Sequence, residues 1–402
     1  MSEREFDLVV YGATGFTGRL VAEYLARSGE TRWAMAGRSR SKLESVREEI
    51  GAGADVALIV ADASDPASLE AMVRRAKVAL TTVGPYQLYG EPLVAACART
   101  GTDYVDLCGE PNWMAAMIAK YEDEAKRTGA RITFSCGFDS IPFDCGVFFL
   151  QKLARERLNT PIPRVRGRVR KMKGTFSGGT MASMLASLEA AKRDPALLKA
   201  MRDPFALSPE KGPTQPRGDA PLYDSDLETW ATPFVMAPIN TKNVHRTNAL
   251  LDYAYGRDFT YDEMQATGAG QSGQKRAKSA ANAAKLTMGL LAFAPTRWLL
   301  RTFVLPKPGQ GPSKQARESG FYEVLFVGDG PDGGKIRASV AGDKDPGYGS
   351  TSKMIAEAGL CLARDIGRET TPGGIWTPAA AMGEPLIRRL TARAGLSLQA
   401  LD

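Results

Sequence analysis

Two hydrophobic rhythms alternate along the first 140 residues. Residues 6–11, FDLVVY, form an apolar run of strand length. GATGFTG follows as a turn, and RLVAEYLARSG then carries apolar positions at helical spacing up to Gly29. TRWAMAGRS and KLESVREEIGA repeat the pair. VALIVADASD precedes a helical pattern over 66–76, KVALTTVGPY precedes GEPLVAACARTG, DYVDLCGE precedes a helix over 113–128, and ARITFSCGFDS supplies a sixth strand. Six strands alternating with helices predict an α/β fold with a parallel, doubly wound sheet.

The rhythm changes after Leu158. PRVRGRVRKMKG alternates in strand fashion and puts Arg164, Arg166, Arg168 and Arg170 on one face. SGGTMASMLASLEAAKRD reads as a helix opening on a glycine-rich turn. Residues 203–222 are rich in Pro and Gly and read as a long loop or lid. FYEVLFVGDG and GKIRASVAGD form a hairpin pattern, and TSKMIAEAGLCLARDIG a strong amphipathic helix. The expected division is a dinucleotide-binding domain over 1–145 and a substrate or oligomerisation domain over 146–349.

Composition narrows the class. A chain of 402 residues predicts two or three domains. Hydrophobic residues at 44% and charged residues at 24% exclude a disordered chain and a multi-span membrane protein. Lys and Arg total 52 against 45 Asp and Glu, with no basic block of nucleic-acid type, so no nucleic-acid partner is expected. The single histidine, His245, and five cysteines without a CxxC pair give no metal site, and free thiols point to a reducing cytoplasm. MSEREFDLVV does not read as a signal peptide. Residues 286–305, LTMGLLAFAPTRWLLRTFVL, are the most apolar stretch, but Pro295, Arg297 and Arg301 interrupt it. With Lys275, Arg276, Lys278 and Lys285 ahead of it, this stretch can rest on a lipid surface as a peripheral contact or admit an acyl chain. The competing uses are a core helix pair or the interface of a homodimer.

The loop GATGFTG sits between a strand and a helix, where glycine permits a sharp turn and close approach to a pyrophosphate, and the helix N-terminus offers amide donors. A bare tight turn is the alternative. Gly12, Thr14, Gly15, Phe16, Thr17 and Gly18 are therefore candidate cofactor contacts. The second strand ends in AGRSRSK, without the acid that would bind an NAD ribose. Arg38, Ser39 and Lys42 suit a 2′-phosphate instead, which selects NADP(H). Asp62 and Ala63 follow the third strand, near the adenine. Val83, Gly84, Pro85 and Tyr86 follow the fourth, near the nicotinamide ribose, and Cys108 and Gly109 follow the fifth.

GATGFTG, AGRS, VGPY, YVDLCGE, CGFDSIPFDCG, SGGT, GQGPS, DPGYGSTSKM and GGIWTPAAAMG, in this order, resemble the saccharopine dehydrogenase-like oxidoreductases, and within them the trans-acting enoyl reductase branch, which acts on polyketide-derived lipids. The resemblance implies a Rossmann-type domain, a second α+β domain built on a mixed sheet, and a C-terminal segment, 350–402, returning to the first domain. It also implies reduction of a C=C bond in a lipid-like or polyketide-like substrate, free or carrier-linked. A saccharopine-type imine reduction, with Arg164–Arg170 binding substrate carboxylates, is the alternative reaction. A non-catalytic, cofactor-bound protein on a lipid surface is the alternative class.

An enoyl reductase needs a proton source beside the hydride donor. Groups that follow the strand ends qualify: Tyr86, Asp106, Glu110, Asp139 and Ser140. Tyr86, Asp139 and Ser140 are the catalytic candidates, set against packing over the cofactor for Tyr86 and helix capping for Asp139. Ser177, Gly178, Gly179 and Thr180 form a second candidate cradle, or else a helix cap. His245 stands outside any strand-end motif and is expected to be structural.

Overall fold

A computed structural model describes residues 4–29, 31–174, 183, 185–187, 189, 194–293, 295, 296, 298, 311–330 and 333–402. Its first sheet holds seven parallel strands. In spatial order they are β13 (Gly374–Trp376), β6 (Arg131–Thr133), β5 (Asp103–Val105), β4 (Ala76–Thr81), β1 (Phe6–Tyr11), β2 (Trp33–Gly37) and β3 (Ala57–Val60). All six residues of β1 and all five of β2 are buried, as expected of parallel strands covered by helices on both faces. Strand order reverses beside β1, so the crevice at the carboxyl ends of β1 and β4 is the ligand-binding position of such a sheet.

The second sheet is mixed, in the order β14 (Leu396–Leu401), β12 (Lys335–Gly342), β11 (Phe321–Asp329), β7 (Arg164–Lys173), β10 (Thr260–Gly268), β9 (Thr229–Pro233) and β8 (Leu222–Asp224). The pair β7 and β10 is parallel and the other pairs are antiparallel. The hairpin read from FYEVLFVGDG and GKIRASVAGD is β11 and β12, and the basic alternating stretch is β7.

The helix Ile141–Leu158 leaves the end of β6 and packs against β11, β12 and β14. It spans the division expected at residue 145, running from the chain after β6 onto the second sheet. Buried polar contacts reinforce it. Asp144 accepts from Thr247 and from the Ala379 amide, and Arg246 donates to the Leu207 and Ile375 carbonyls. The C-terminal segment also divides. Helix Thr351–Arg364 and β13 join the first sheet, whereas β14 pairs with β12 of the second. Of the segment 350–402, expected to return to the first domain, LSLQAL finds its strand partner on the edge of the other sheet.

Candidate functional site

Steric necessity fixes two glycines of the phosphate loop, and a third borders open space. Gly12 adopts φ +89°, and a Cβ there would lie 2.6 Å from Val83 Cγ2. A Cβ at Gly18 would lie 2.1 Å from the Gly12 carbonyl oxygen, so Gly18 lets the helix Phe16–Ser28 press against the loop. At Gly15, the N-cap, a Cβ would meet only the Gly12 oxygen, at 3.3 Å, and the space beyond is open. No side chain caps this helix and its first turn holds no acid. Its leading amides therefore face the crevice with the positive end of the helix dipole. These features fit a dinucleotide pyrophosphate.

Two later motifs close on the same loop. The ring of Phe16 packs edge-on against Tyr348, with centroids 4.8 Å apart, and lies under the Arg317 guanidinium at 5.4 Å. Gly311 touches it from another side, where a Cβ would fall 2.2 Å from the ring. Phe16 of GATGFTG, Gly311 and Tyr348 of DPGYGSTSKM are thus packed together although more than 290 residues separate Phe16 from the other two.

Arg38 follows β2 and is exposed, near Asp62. Hydrogen bonds from Ser64, and the nearby Arg38 charge, hold the Asp62 carboxyl below its usual range. Ser39 is the N-cap of helix Arg40–Glu49 and accepts from the Lys42 amide at 3.4 Å, while Lys42 extends into solvent from the first turn. Thr14 and Thr17 are partly exposed in the loop, and Ala63, Val83, Pro85 and Gly109 are partly exposed at the strand ends, with Gly84 exposed. Cys108 is fully buried and its sulfur accepts from the Glu110 amide. A cofactor can therefore meet Cys108 only through its backbone.

Two catalytic candidates are corrected by their surroundings. The Tyr86 hydroxyl is buried, accepts from the Leu107 amide at 3.0 Å and donates to the Thr81 carbonyl at 3.4 Å. Burial pushes its pKa well above the ordinary phenol value, with Asp106 adding to the shift. It ties the end of β4 to the chain after β5, and both hydrogen-bonding positions of its hydroxyl are used within the protein. Ser140 is likewise buried, and its hydroxyl accepts from Asn243 Nδ2 at 2.7 Å. It ties the two sheets together.

The other carboxylates divide clearly. Glu110 is buried and accepts from the amides of Tyr86 and Gln87 at 2.8 and 2.9 Å, capping the short helix Tyr86–Tyr89. Asp106 accepts from the Cys108 and Ser135 amides and from Tyr104, while burial raises its pKa to about 7. Asp139 is different. It does not cap the following helix, whose N-cap is Ser140, and it makes no side-chain hydrogen bond among the described residues. It keeps a partly exposed surface beside Gly109, where a Cβ would lie 3.5 Å from Asp139 Oδ2. Loss of water alone pushes its pKa up to about 7.

Across from Asp139 lies a group that strand-end reasoning does not reach. Glu263 of β10 is buried and accepts from Asn240 at 2.8 Å and Tyr261 at 3.0 Å. Burial raises its pKa to about 8, and the Asp139 charge adds to the effect. Asn240 and Asn243 come from helix Ala237–Leu250, and the Oδ1 atom of each is buried without a partner. The available signal was INTKNVHRTN itself, a helix whose polar residues are nearly all buried. His245 packs between Phe205 and Phe259, and burial lowers its pKa to about 3, which leaves it neutral and structural.

The cradle expected at Ser177–Thr180 lies outside the described residues. The arginines of β7 are paired within the protein. Arg164 pairs with Asp262, Arg166 with Asp224, Asp226 and Asp329, Arg168 with Asp224 and Asp262, and Arg170 with Glu323.

A doubly wound sheet with this loop and basic turn defines an NADP(H)-dependent oxidoreductase, and the comparisons with known proteins agree. Residues 8–132 match the family model described as the saccharopine dehydrogenase NADP binding domain. A Mycobacterium tuberculosis protein named trans-acting enoyl reductase is 42% identical over 405 residues, covering 97% of this chain and 96% of its own. A Mycobacterium ulcerans protein of the same name is 40% identical, with the same two coverages. Saccharopine dehydrogenase from Saccharomyces cerevisiae superposes over 98% of this chain and 99% of its own, with a TM-score of 0.54 at 11% identity, a likeness of fold. The chain belongs to the saccharopine dehydrogenase-like oxidoreductases, in the branch whose members carry the name trans-acting enoyl reductase.

Proposed function

We propose that the protein reduces the C=C bond of an α,β-unsaturated acyl group, lipid-like or polyketide-like and free or carrier-linked, and that Asp139 is its proton source. NADPH, when bound, supplies the hydride for the β carbon. The loop of Gly12, Gly15 and Gly18 orients the pyrophosphate, and Arg38 and Lys42 hold the 2′-phosphate. The Asp139 carboxyl holds the proton that the α carbon takes, and recovers one once product leaves.

One observation carries this reading. Asp139, a partly exposed residue at the carboxyl edge of the first sheet, holds its carboxyl beside Gly109, stripped of enough water to raise its pKa to about 7 and without a donor among the described residues to keep it ionised. The names of the relatives support the reaction class. The imine alternative is the weaker reading because the arginines it would need are paired with Asp224, Asp226, Asp262, Asp329 and Glu323.

Steady-state kinetics of an enoyl thioester with NADPH test it. Asp139→Asn should lower kcat by about 10²–10⁴-fold while NADPH affinity is kept. Unchanged turnover in that variant would remove Asp139 from the role. A wild-type enzyme that oxidises NADPH with no enoyl thioester would remove the reaction.

A further inference from the structure

We infer that the helix Gly270–Ala292 docks the protein on an anionic lipid bilayer, by a face that the fold itself does not use. The helix packs against β9 and β10. Gly273, Ala277, Ala281 and Leu291 are its buried positions. At the close contact a Cβ on Gly273 would fall 1.9 Å from the Gly268 oxygen, and Thr232 donates to the Ala277 carbonyl at 3.2 Å. That face is complete.

A second apolar stripe runs on the opposite side. Leu286, Leu290 and Phe293 follow the i, i+4, i+7 spacing of one helical face. At 100° per residue they lie about half a turn from Ala277 and Ala281. Their exposures are 66%, 38% and 62%. A core helix buries such a stripe, so the core-helix alternative accounts for Leu291 but not for Leu286, Leu290 and Phe293. Residues 294, 297 and 299–305 lie outside the described residues. No helix among the described residues is long and apolar enough to cross a membrane, so the stripe suits an interfacial depth.

Charge selects the partner. Between Glu263 and Glu318 the chain carries nine of its 52 Lys and Arg and none of its 45 Asp and Glu. Lys275, Lys278 and Lys285 lie within about a third of a turn of the apolar stripe and are exposed. Their ammonium groups can reach lipid phosphates while Leu286, Leu290 and Phe293 enter the acyl boundary. A cavity of about 650 Å³ at the root of the helix, lined by Arg170, Lys171 and Arg276 among others, continues the same sign of charge. A neutral membrane or a second copy of this equally basic surface would gain nothing from that arrangement.

Sedimentation of the full chain with vesicles is the test. Binding should be at least tenfold tighter to phosphatidylglycerol-containing vesicles than to pure phosphatidylcholine, and should weaken with added salt. Leu286→Ser with Phe293→Ser should abolish it, and Lys275→Glu, Lys278→Glu and Lys285→Glu together should weaken it at least tenfold. These positions are exposed, so NADPH binding and the unfolding temperature should stay at wild-type values. Equal binding to both vesicle types, or none to the anionic ones, would overturn the inference. So would a dimer that the serine variants convert to monomer while vesicle binding is unchanged, since the stripe would then join two copies.

Discussion

At the carboxyl edge of the first sheet, Arg38 and Lys42 are exposed and form no ion pair among the described residues. In the second sheet, Arg164, Arg166 and Arg168 are taken up by four aspartates. The carboxylates differ in the same sense. Asp224 and Asp262 sit between arginines, whereas Asp106 and Asp139 have no cationic partner among the described residues and burial raises both to about 7. A charge with an internal partner holds the fold. A charge without one is free to meet a ligand phosphate or to carry a proton. Arginines in strand alternation read identically in both cases until the partners are seen.

Substitutions can break this contrast from either side. The largest effect is expected at the loop. Gly15→Val should abolish NADPH binding, measured by fluorescence titration, with the fold intact, because the added branch enters open crevice space. Gly18→Val, 2.1 Å from the Gly12 oxygen, should fail to fold instead. Next, Arg168→Met should cost about 3–5 kcal/mol in denaturant unfolding, since Asp224 and Asp262 then lose a buried cation. The folded fraction should bind NADPH normally. Arg38→Ala should do the reverse, with no change in stability and a loss of roughly 1.5–3 kcal/mol in NADPH affinity that NADH does not share.

The smallest effect is a pH slope. In the fold, Asp139 titrates near 7, above the ordinary carboxyl value. Between those two values the folded chain keeps a proton that the unfolded chain has released. This contribution to stability is therefore present in acid and fades as pH rises through about 7. Asp139→Asn should flatten that part of the stability profile and remove the fall in kcat/KM above pH 7.

Six strands of the first sheet were legible because each is a short apolar run with a helix behind it, and the glycine loop marks where a dinucleotide would lie. Strand β13 was not, because three residues in GGIWTPAAAMG carry no periodicity and pair only with β6, more than 240 positions away. The site split in the same way. Gly12, Gly15, Gly18 and Arg38 follow from local geometry. Tyr86 and Asp139 both follow strand ends, and only packing separates them, since Leu107 and Thr81 claim the Tyr86 hydroxyl while nothing described claims Asp139. Glu263, Asn240 and Asn243 come near Asp139 and Ser140 through tertiary contacts of the second sheet, which no spacing in the chain encodes.

Isotope tracing tests the central claim most directly. An enoyl thioester reduced with NADPH deuterated at the transferring position of the nicotinamide, in ordinary water, should yield a saturated thioester with one deuterium at the β carbon. In heavy water with unlabelled NADPH the label should instead appear at the α carbon, and Asp139→Asn should slow its arrival. A product labelled on a carbon bound to nitrogen, formed from an imine while the enoyl thioester is untouched, would contradict the account.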